Sequence, residues 1–289
     1  MVVTQVMYDK ICLITGANAG IGFETARGIA KSGATVVLAC RNRHRGESAV
    51  NEIRADSGND KLYLMLCDLS SQADIRRMVA EFHSRFDRLH VLINNAAMYT
   101  PTRSLSADGL ELQFASNYLS CFLLTHLLLD LLKTSAPARI VNLSTINHFD
   151  VSLDLDDLQS EQIYEPKVVH VRSKLAVILF TYELARRLQG TGVTANCLHP
   201  GVIATNLLGE VRNVPPEQRF TEVMGGDPLE AGARTPVFLA TSAEVEGVSG
   251  KYFDDCKAVP SSSETYDEEK TISLWTISEK LTGMNPISG

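Results

Sequence analysis

His170 and Lys174 stand four residues apart, in His170-Val171-Arg172-Ser173-Lys174. The apolar periodicity around them predicts a helix over 169–189. Four residues is about one helical turn, so both side chains fall on one face. A lysine ammonium at that spacing tunes whichever neighbour moves a proton. Here the neighbour is an imidazole, which titrates near pH ~6.5 when unperturbed, against ~10 for a phenol. A nearby cation favours the deprotonated form of either group. The pair therefore predicts a largely neutral His170, suited to accept a proton or a hydrogen bond. Such a group serves alcohol oxidation or enolisation and is a poor proton donor to a carbonyl.

A second cluster of chemistry-bearing residues lies near the start of the chain, in Thr15-Gly16-Ala17-Asn18-Ala19-Gly20-Ile21-Gly22. Glycines placed between a strand and a helix allow a tight turn and close backbone approach to a pyrophosphate. The exposed N–H groups and the positive end of the helix dipole favour that anion. The second apolar run ends at Ala39-Cys40-Arg41-Asn42-Arg43, with a guanidinium where a dinucleotide site often places a carboxylate. A guanidinium pairs with a phosphate that a carboxylate would repel.

These residues need elements to position them. Apolar, β-branched runs at 10–15, 34–40, 62–67, 91–94, 139–143 and 193–199, with a short one near 251–254, predict strands. They alternate with helical patterns at 20–32, 45–56, 72–86, 109–133, 169–189 and 229–241, and a last amphipathic piece spans 268–281. That alternation is the signature of βαβ units, so the expected fold is α/β, a doubly wound, Rossmann-type parallel sheet with helices on both faces. Two stretches lack periodicity. Residues 146–166 are acidic, with Asp150, Asp154, Asp156, Asp157 and Glu161, and residues 200–227 carry Pro215-Pro216 and Gly225-Gly226. Both follow strands at their carboxyl ends, where open α/β sheets bind ligands, and both are read as substrate-side loops. A solvated acidic surface is the competing reading of the first.

Taken in order, the motifs resemble the short-chain dehydrogenase/reductase family. The wording Leu38-Ala39-Cys40-Arg41-Asn42 and Ser173-Lys174-Leu175-Ala176 is similar to its retinol-dehydrogenase-like branch. The resemblance implies about seven strands in the order 3-2-1-4-5-6-7. It also implies one nicotinamide-binding domain over 1–289, in which 200–228 and 264–289 face the substrate. Cofactor contacts would come from Gly16, Asn18, Ala19, Gly20, Ile21 and Gly22, from Arg41 and Asn42, and from Cys67, Asp68 and Leu69. Others would come from Asn95, Ala96 and Ala97, from Lys174, and from Pro200, Gly201, Val202 and Thr205. Asp68 would bind the adenine, Lys174 the ribose, and the Val202 backbone and Thr205 hydroxyl the carboxamide. With Arg41 and no acid at Cys40, NADP(H) is expected rather than NAD(H).

The family reacts through Ser, Tyr and Lys with a supporting Asn. Here Asn117 and Lys174 match, Thr145 stands in the serine slot beside Ser144, and His170 replaces the tyrosine. Threonine keeps the hydroxyl that holds a substrate oxygen. Three readings follow. The first is an NADP(H)-dependent oxidoreductase of a lipophilic alcohol or carbonyl with His170 as acid/base. The second is a non-redox isomerase, dehydratase or cyclase on the same scaffold. The third is a non-catalytic NADP(H)-binding protein, against which the retained Asn117 and Lys174 weigh. Leu207, Leu208, Val211, Phe220, Met224 and Trp275 are expected to shape an apolar pocket. Tyr164, ten residues before Lys174, is out of register for a helical pair. His148 and His199 are read as structural hydrogen-bonders. The helices 109–133 and 169–189 resemble those that pair subunits in the family, which implies a homodimer or homotetramer.

The bulk properties bound these readings. The 289 residues suffice for a sizeable core, and a net charge of −7 argues against a nucleic-acid partner. Six scattered cysteines without metal-ligand spacing read as free thiols in a reducing cytoplasm, and no metal site is expected. The most apolar stretch, 118–132, reads as too short and too polar to span a bilayer, and no leader is expected ahead of the first strand.

Overall fold

The computed structural model describes residues 6–215 and 226–285. The chain runs β1 (Ile11–Thr15), α1 (Gly20–Lys31), β2 (Thr35–Cys40), α2 (Arg43–Ser57), β3 (Leu62–Leu66), α3 (Gln72–Arg85) and β4 (Val91–Asn94). A continuous helix follows, made of α4 (Leu112–Phe114), a π turn (Ala115–Leu119) and α5 (Ser120–Thr134). Next come β5 (Ala138–Leu143), a 3-10 turn (Ile146–Asp150), α6 (Pro166–Arg187), β6 (Val193–His199) and α7 (Asn206–Val211). The order closes with α8 (Leu229–Thr241), β7 (Tyr252–Asp254), β8 (Lys257–Val259) and α9 (Glu268–Thr282).

The sheet order is β3-β2-β1-β4-β5-β6-β7-β8, with the first seven strands parallel as expected. The eighth strand was not expected. It pairs antiparallel with β7 through a two-residue turn, Asp255-Cys256, in which both residues have positive φ. Such turns usually carry Asn or Gly, so this one left little trace in the sequence. Side chains alternate across the sheet with a period of two, and both faces are covered. Leu13 enters a core with residues of α3, α5, α6 and α9, whereas Cys12 and Ile14 enter one with residues of α1, α2 and α8. Five of the six cysteines are buried free thiols, and Cys256 is half-buried.

Element ends follow local chemistry. α2 starts at Arg43 because the Asn42 side chain accepts a hydrogen bond from Arg45 N, and it ends at Gly58 in the left-handed region. α6 begins at Pro166, earlier than the expected 169, because proline suits the first helical turn. Within the expected loop 200–227, Asn206–Val211 is wound into α7, capped by Thr205. Phe220, Met224, Pro216 and Gly225 lie outside the described residues.

Two expectations need correction. Leu112–Thr134 is longer than the apolar stretch read from sequence, and by length and composition alone it could cross a membrane. It is a core helix here, with 83% of its apolar window buried. α9 packs against α6, and Trp275, expected to shape a pocket, is drawn into that contact. Trp275 of α9 is buried with its ring centroid 5.1 Å from Phe122 and 5.8 Å from Phe180, under the Arg187 guanidinium at 4.3 Å. Tyr118 and Ser278 hydroxyls meet at 2.7 Å. Trp275 therefore belongs to the core between α5, α6 and α9.

Candidate active site

The first turns of α6 deliver His170 and Lys174 to the carboxyl end of β5. Lys174 is buried and donates from Nζ to the Leu143 carbonyl at 3.0 Å. Burial lowers its pKa. His170 Nδ1 lies 3.2 Å from the Met98 carbonyl. Asn117 Nδ2 also stands 3.5 Å from Nδ1, but its two hydrogens are engaged at shorter range by Met98 O and Ser173 Oγ. The Met98 carbonyl, which only accepts, therefore assigns the proton to Nδ1 and, in the neutral ring, leaves Nε2 as an acceptor. The pKa of His170 is pushed down to about 4, by burial first and by the Lys174 charge second, against the Met98 bond. At pH 7 only about one ring in a thousand is then protonated. The Tyr99 ring sets its edge near the imidazole, with centroids 6.2 Å apart.

Asn117 sits in the middle of the π turn, a feature that often marks functional sites. Its side chain grips the Met98 backbone in both directions. Oδ1 accepts from Met98 N at 2.8 Å, and Nδ2 donates to Met98 O at 3.0 Å and to Ser173 Oγ at 3.1 Å. Asn117 thus fixes the carbonyl that sets the His170 tautomer. Met98 had no motif to betray it, because its contribution is a backbone oxygen.

The two hydroxyls after β5 divide their work. Ser144 is buried and donates to the Lys174 carbonyl at 2.8 Å, which ties β5 to α6. Thr145 is half-buried, with Oγ1 accepting from Asn147 N at 3.3 Å. That bond leaves the Thr145 hydroxyl proton free to donate. Tyr164, the nearest upstream tyrosine, is held away by hydrogen bonds to Gln113 Nε2 and the Thr100 carbonyl. His199 is buried with Nδ1 unpartnered among the described residues, whereas His148 is fully bonded.

The glycine turn is locked from β4. Gly16 and Gly20 have φ of +66° and +58°. A Cβ on Gly22 would fall 2.4 Å from Asn95 Nδ2 and 2.5 Å from Gly16 O. Asn95 Nδ2 donates to Thr15 O at 2.8 Å, and the N–H groups of Asn95 and Ala96 donate to Thr15 Oγ1 at 3.0 and 3.1 Å. Asn95 and Ala96 therefore brace the turn. Ala19 precedes α1 with no side-chain cap, so the first N–H groups of that helix stay free for an anion. A Cβ on Gly20 would meet Thr205 Cγ2 at 3.6 Å, which places Thr205 beside the turn.

The other expected cofactor residues are distributed less simply. Arg41 is exposed, 3.9 Å from Asp68 Oδ2. Asp68 Oδ1 accepts from Ser70 N and Oγ, so one oxygen is committed. Asn42 is spent as the cap of α2. Cys67 is a buried thiol pushed up to about 12, and Leu69 is partly buried against the core. The Val202 carbonyl accepts from Asp227 N at 2.7 Å, and Thr205 Oγ1 accepts from Leu208 N at 3.1 Å while keeping its own proton to donate. Gly201 has φ of +97°, Pro200 precedes it, and Ala97 follows Ala96 at the end of β4.

A concavity of about 430 Å³ is lined by Asn18, Ala19, Gly20, Phe23, His44, Arg45, Ser48, Ala49 and Glu52. Sequence reasoning missed His44 and Arg45. The signal was present, because the first turn of α2 holds Arg43, His44 and Arg45 and no acid, against the helix dipole. A second cavity of about 510 Å³, lined in part by Lys10, His90, Arg139 and Val193, opens at the amino ends of the strands, away from this chemistry.

Residues 10–215 match the short chain dehydrogenase family. Human retinol dehydrogenase 14 is 43% identical over 96% of this chain and 88% of its own length. Retinol dehydrogenase 12 from Mus musculus is 43% identical over 95% and 87%. Among solved structures, an uncharacterised protein from Mycobacterium paratuberculosis superposes with a TM-score of 0.80 at 28% identity, covering 99% of this chain and 98% of that one. An L-sorbose reductase from Gluconobacter frateurii, solved with NADPH and L-sorbose, shares the fold with a TM-score of 0.68 at 20% identity, over 87% and 96%. A family match across most of the chain, with relatives at this identity over nearly its whole length, makes the protein a member of the short-chain dehydrogenase family.

Proposed function

We propose that the protein oxidises a lipophilic alcohol, with NADP⁺ as hydride acceptor and His170 as the base. The observation that carries this reading is the hydrogen bond from His170 Nδ1 to the Met98 carbonyl, which leaves Nε2 as an acceptor. An alcohol oxygen both donates and accepts, so it can give its proton to His170 Nε2 while receiving the Thr145 hydroxyl proton. A carbonyl oxygen only accepts and would face the lone pair of Nε2. The ground state therefore favours alcohol over carbonyl.

The cofactor end fits a phosphorylated dinucleotide. The uncapped N-terminus of α1 and the Gly16–Gly22 turn would hold the diphosphate. Arg41 with His44 and Arg45 would hold a 2′-phosphate. Asp68 would take the adenine, Lys174 the ribose, and residues 200–205 the nicotinamide side. Bound there, the nicotinamide would take up the hydride. The chain's own residues do the rest. Thr145 orients the alcohol oxygen, Nε2 of His170 removes its proton, and burial, with the Lys174 charge second, keeps the ring neutral beforehand. The half-buried Leu207, Leu208 and Val211 of α7, and the retinol named in the relatives, support an apolar substrate.

The test is a panel of apolar alcohols with NADP⁺, beside the matching aldehydes and ketones with NADPH, followed by nicotinamide absorbance. Alcohol turnover that Lys174→Ala abolishes is the expected result. Bound cofactor with no turnover of any alcohol would contradict the reading. The same lone pair on Nε2 also suits non-redox proton abstraction, for which product would form without any change in that absorbance.

A further inference from the structure

We infer that His148 is a positioning residue, which holds Thr145 in place by bonding its carbonyl from behind. The inference rests on the role given to Thr145 above. His148 Nδ1 lies 2.6 Å from the Thr145 carbonyl. Its other nitrogen, Nε2, accepts from Ser262 N at 3.1 Å. A carbonyl requires a donor and a backbone N–H requires an acceptor, so both bonds together demand the neutral ring protonated on Nδ1. The Tyr252 hydroxyl donates to the same carbonyl at 3.2 Å. The oxygen of Thr145 is thus held by two donors from separate parts of the chain.

The bridge is itself well fixed. His148 is fully buried and packs on the rings of Phe149 and Tyr252, at centroid distances of 4.1 and 4.8 Å. Ser262 belongs to a segment pinned by its neighbour Ser261, whose hydroxyl meets Tyr182 at 2.7 Å and Thr265 at 2.6 Å. Thr145 stands extended, with φ −147° and ψ 154°, between β5 and the 3-10 turn that contains His148. A displacement of the main chain at Thr145 would carry its Cβ and hydroxyl along. Two hydrogen bonds to its carbonyl oppose that displacement and leave the Oγ1 proton free for the substrate side. The segment after β8 therefore contributes to the site through a histidine and a backbone N–H.

Two substitutions separate positioning from simple packing. In His148→Asn the amide nitrogen replaces Nδ1 and keeps the bond to Thr145 while losing Ser262. In His148→Gln the amide oxygen replaces Nε2 and keeps Ser262 while losing Thr145. Positioning predicts that the Gln variant loses about tenfold in kcat with KM little changed, and that the Asn variant retains most of kcat, at similar melting temperatures. Tyr252→Phe should lower kcat, and its effect should be non-additive with that of the Gln variant. Crystal structures of both His148 variants give a readout independent of turnover, with Thr145 Oγ1 displaced in the Gln form and kept in the Asn form. Thr145 unmoved in the Gln form, or equal losses in both variants, would overturn the inference. Absence of alcohol turnover in the unmodified enzyme would count against the oxidation reading alone, because the position of Thr145 still decides this one.

Discussion

The glycine turn and the His170–Lys174 corner lie at the same end of the sheet and are held in different ways. The turn is fixed by backbone. Gly22 leaves no room for a Cβ, Gly16 occupies the left-handed region, and Thr15 and Asn95 close the remaining bonds. The corner is fixed by side chains that grip a backbone carbonyl, with Asn117 setting Met98 and Met98 setting His170. A backbone-locked site dictates its residue types, because only glycine fits. A site held by hydrogen bonds dictates positions, so it can accept more than one residue type while its surroundings stay in register, and the proposed reaction uses the imidazole of His170 there.

The contrast can be broken at either end. Replacement of His170 by Phe keeps the shape and removes the base, and should lower alcohol turnover by about 10²–10⁴-fold with cofactor affinity unchanged. Retained turnover would move the base elsewhere. Gly22→Ala attacks the other end. Its Cβ would overlap Asn95 Nδ2 and Gly16 O, so NADPH affinity measured by fluorescence titration should fall about a hundredfold, with about 1–3 kcal/mol lost from the fold. His170→Tyr restores the phenol beside Lys174 and should raise carbonyl reduction relative to alcohol oxidation by about tenfold or more, read as the ratio of the two rates. The smallest effect is at Arg45. Its removal in Arg45→Ala should weaken NADP(H) about five- to tenfold and leave NAD(H) unchanged. The cofactor-free protein should meanwhile gain about 0.3–0.5 kcal/mol, because a cation leaves the positive end of α2.

The sequence carried the parts of this site that depend on local pattern. The order of the first seven strands, the Thr15–Gly22 turn and the one-face placement of His170 and Lys174 follow from periodicity, glycine spacing and the family resemblance. Long-range contacts were not legible. Nothing near Asn117 announced a π turn, and a carbonyl such as that of Met98 has no residue type. The bond from Tyr252 to Thr145 crosses 107 positions. β8 was hidden by a turn of Asp255 and Cys256 in place of the usual Asn and Gly, and the packing of α9 on α6 was unreadable from α6 alone.

The central claim is the protonation state of His170, and ¹⁵N NMR of its imidazole tests it without knowledge of the substrate. The expected result is a neutral ring at pH 7 with the proton on Nδ1, titrating only as pH falls through about 4. Because this pKa is depressed in the fold, the unfolded chain binds the proton first, and stability should be lost between pH ~6.5 and about 4. An imidazolium at pH 7, or a neutral ring protonated on Nε2, would contradict the account, since either would turn His170 from an acceptor into a donor.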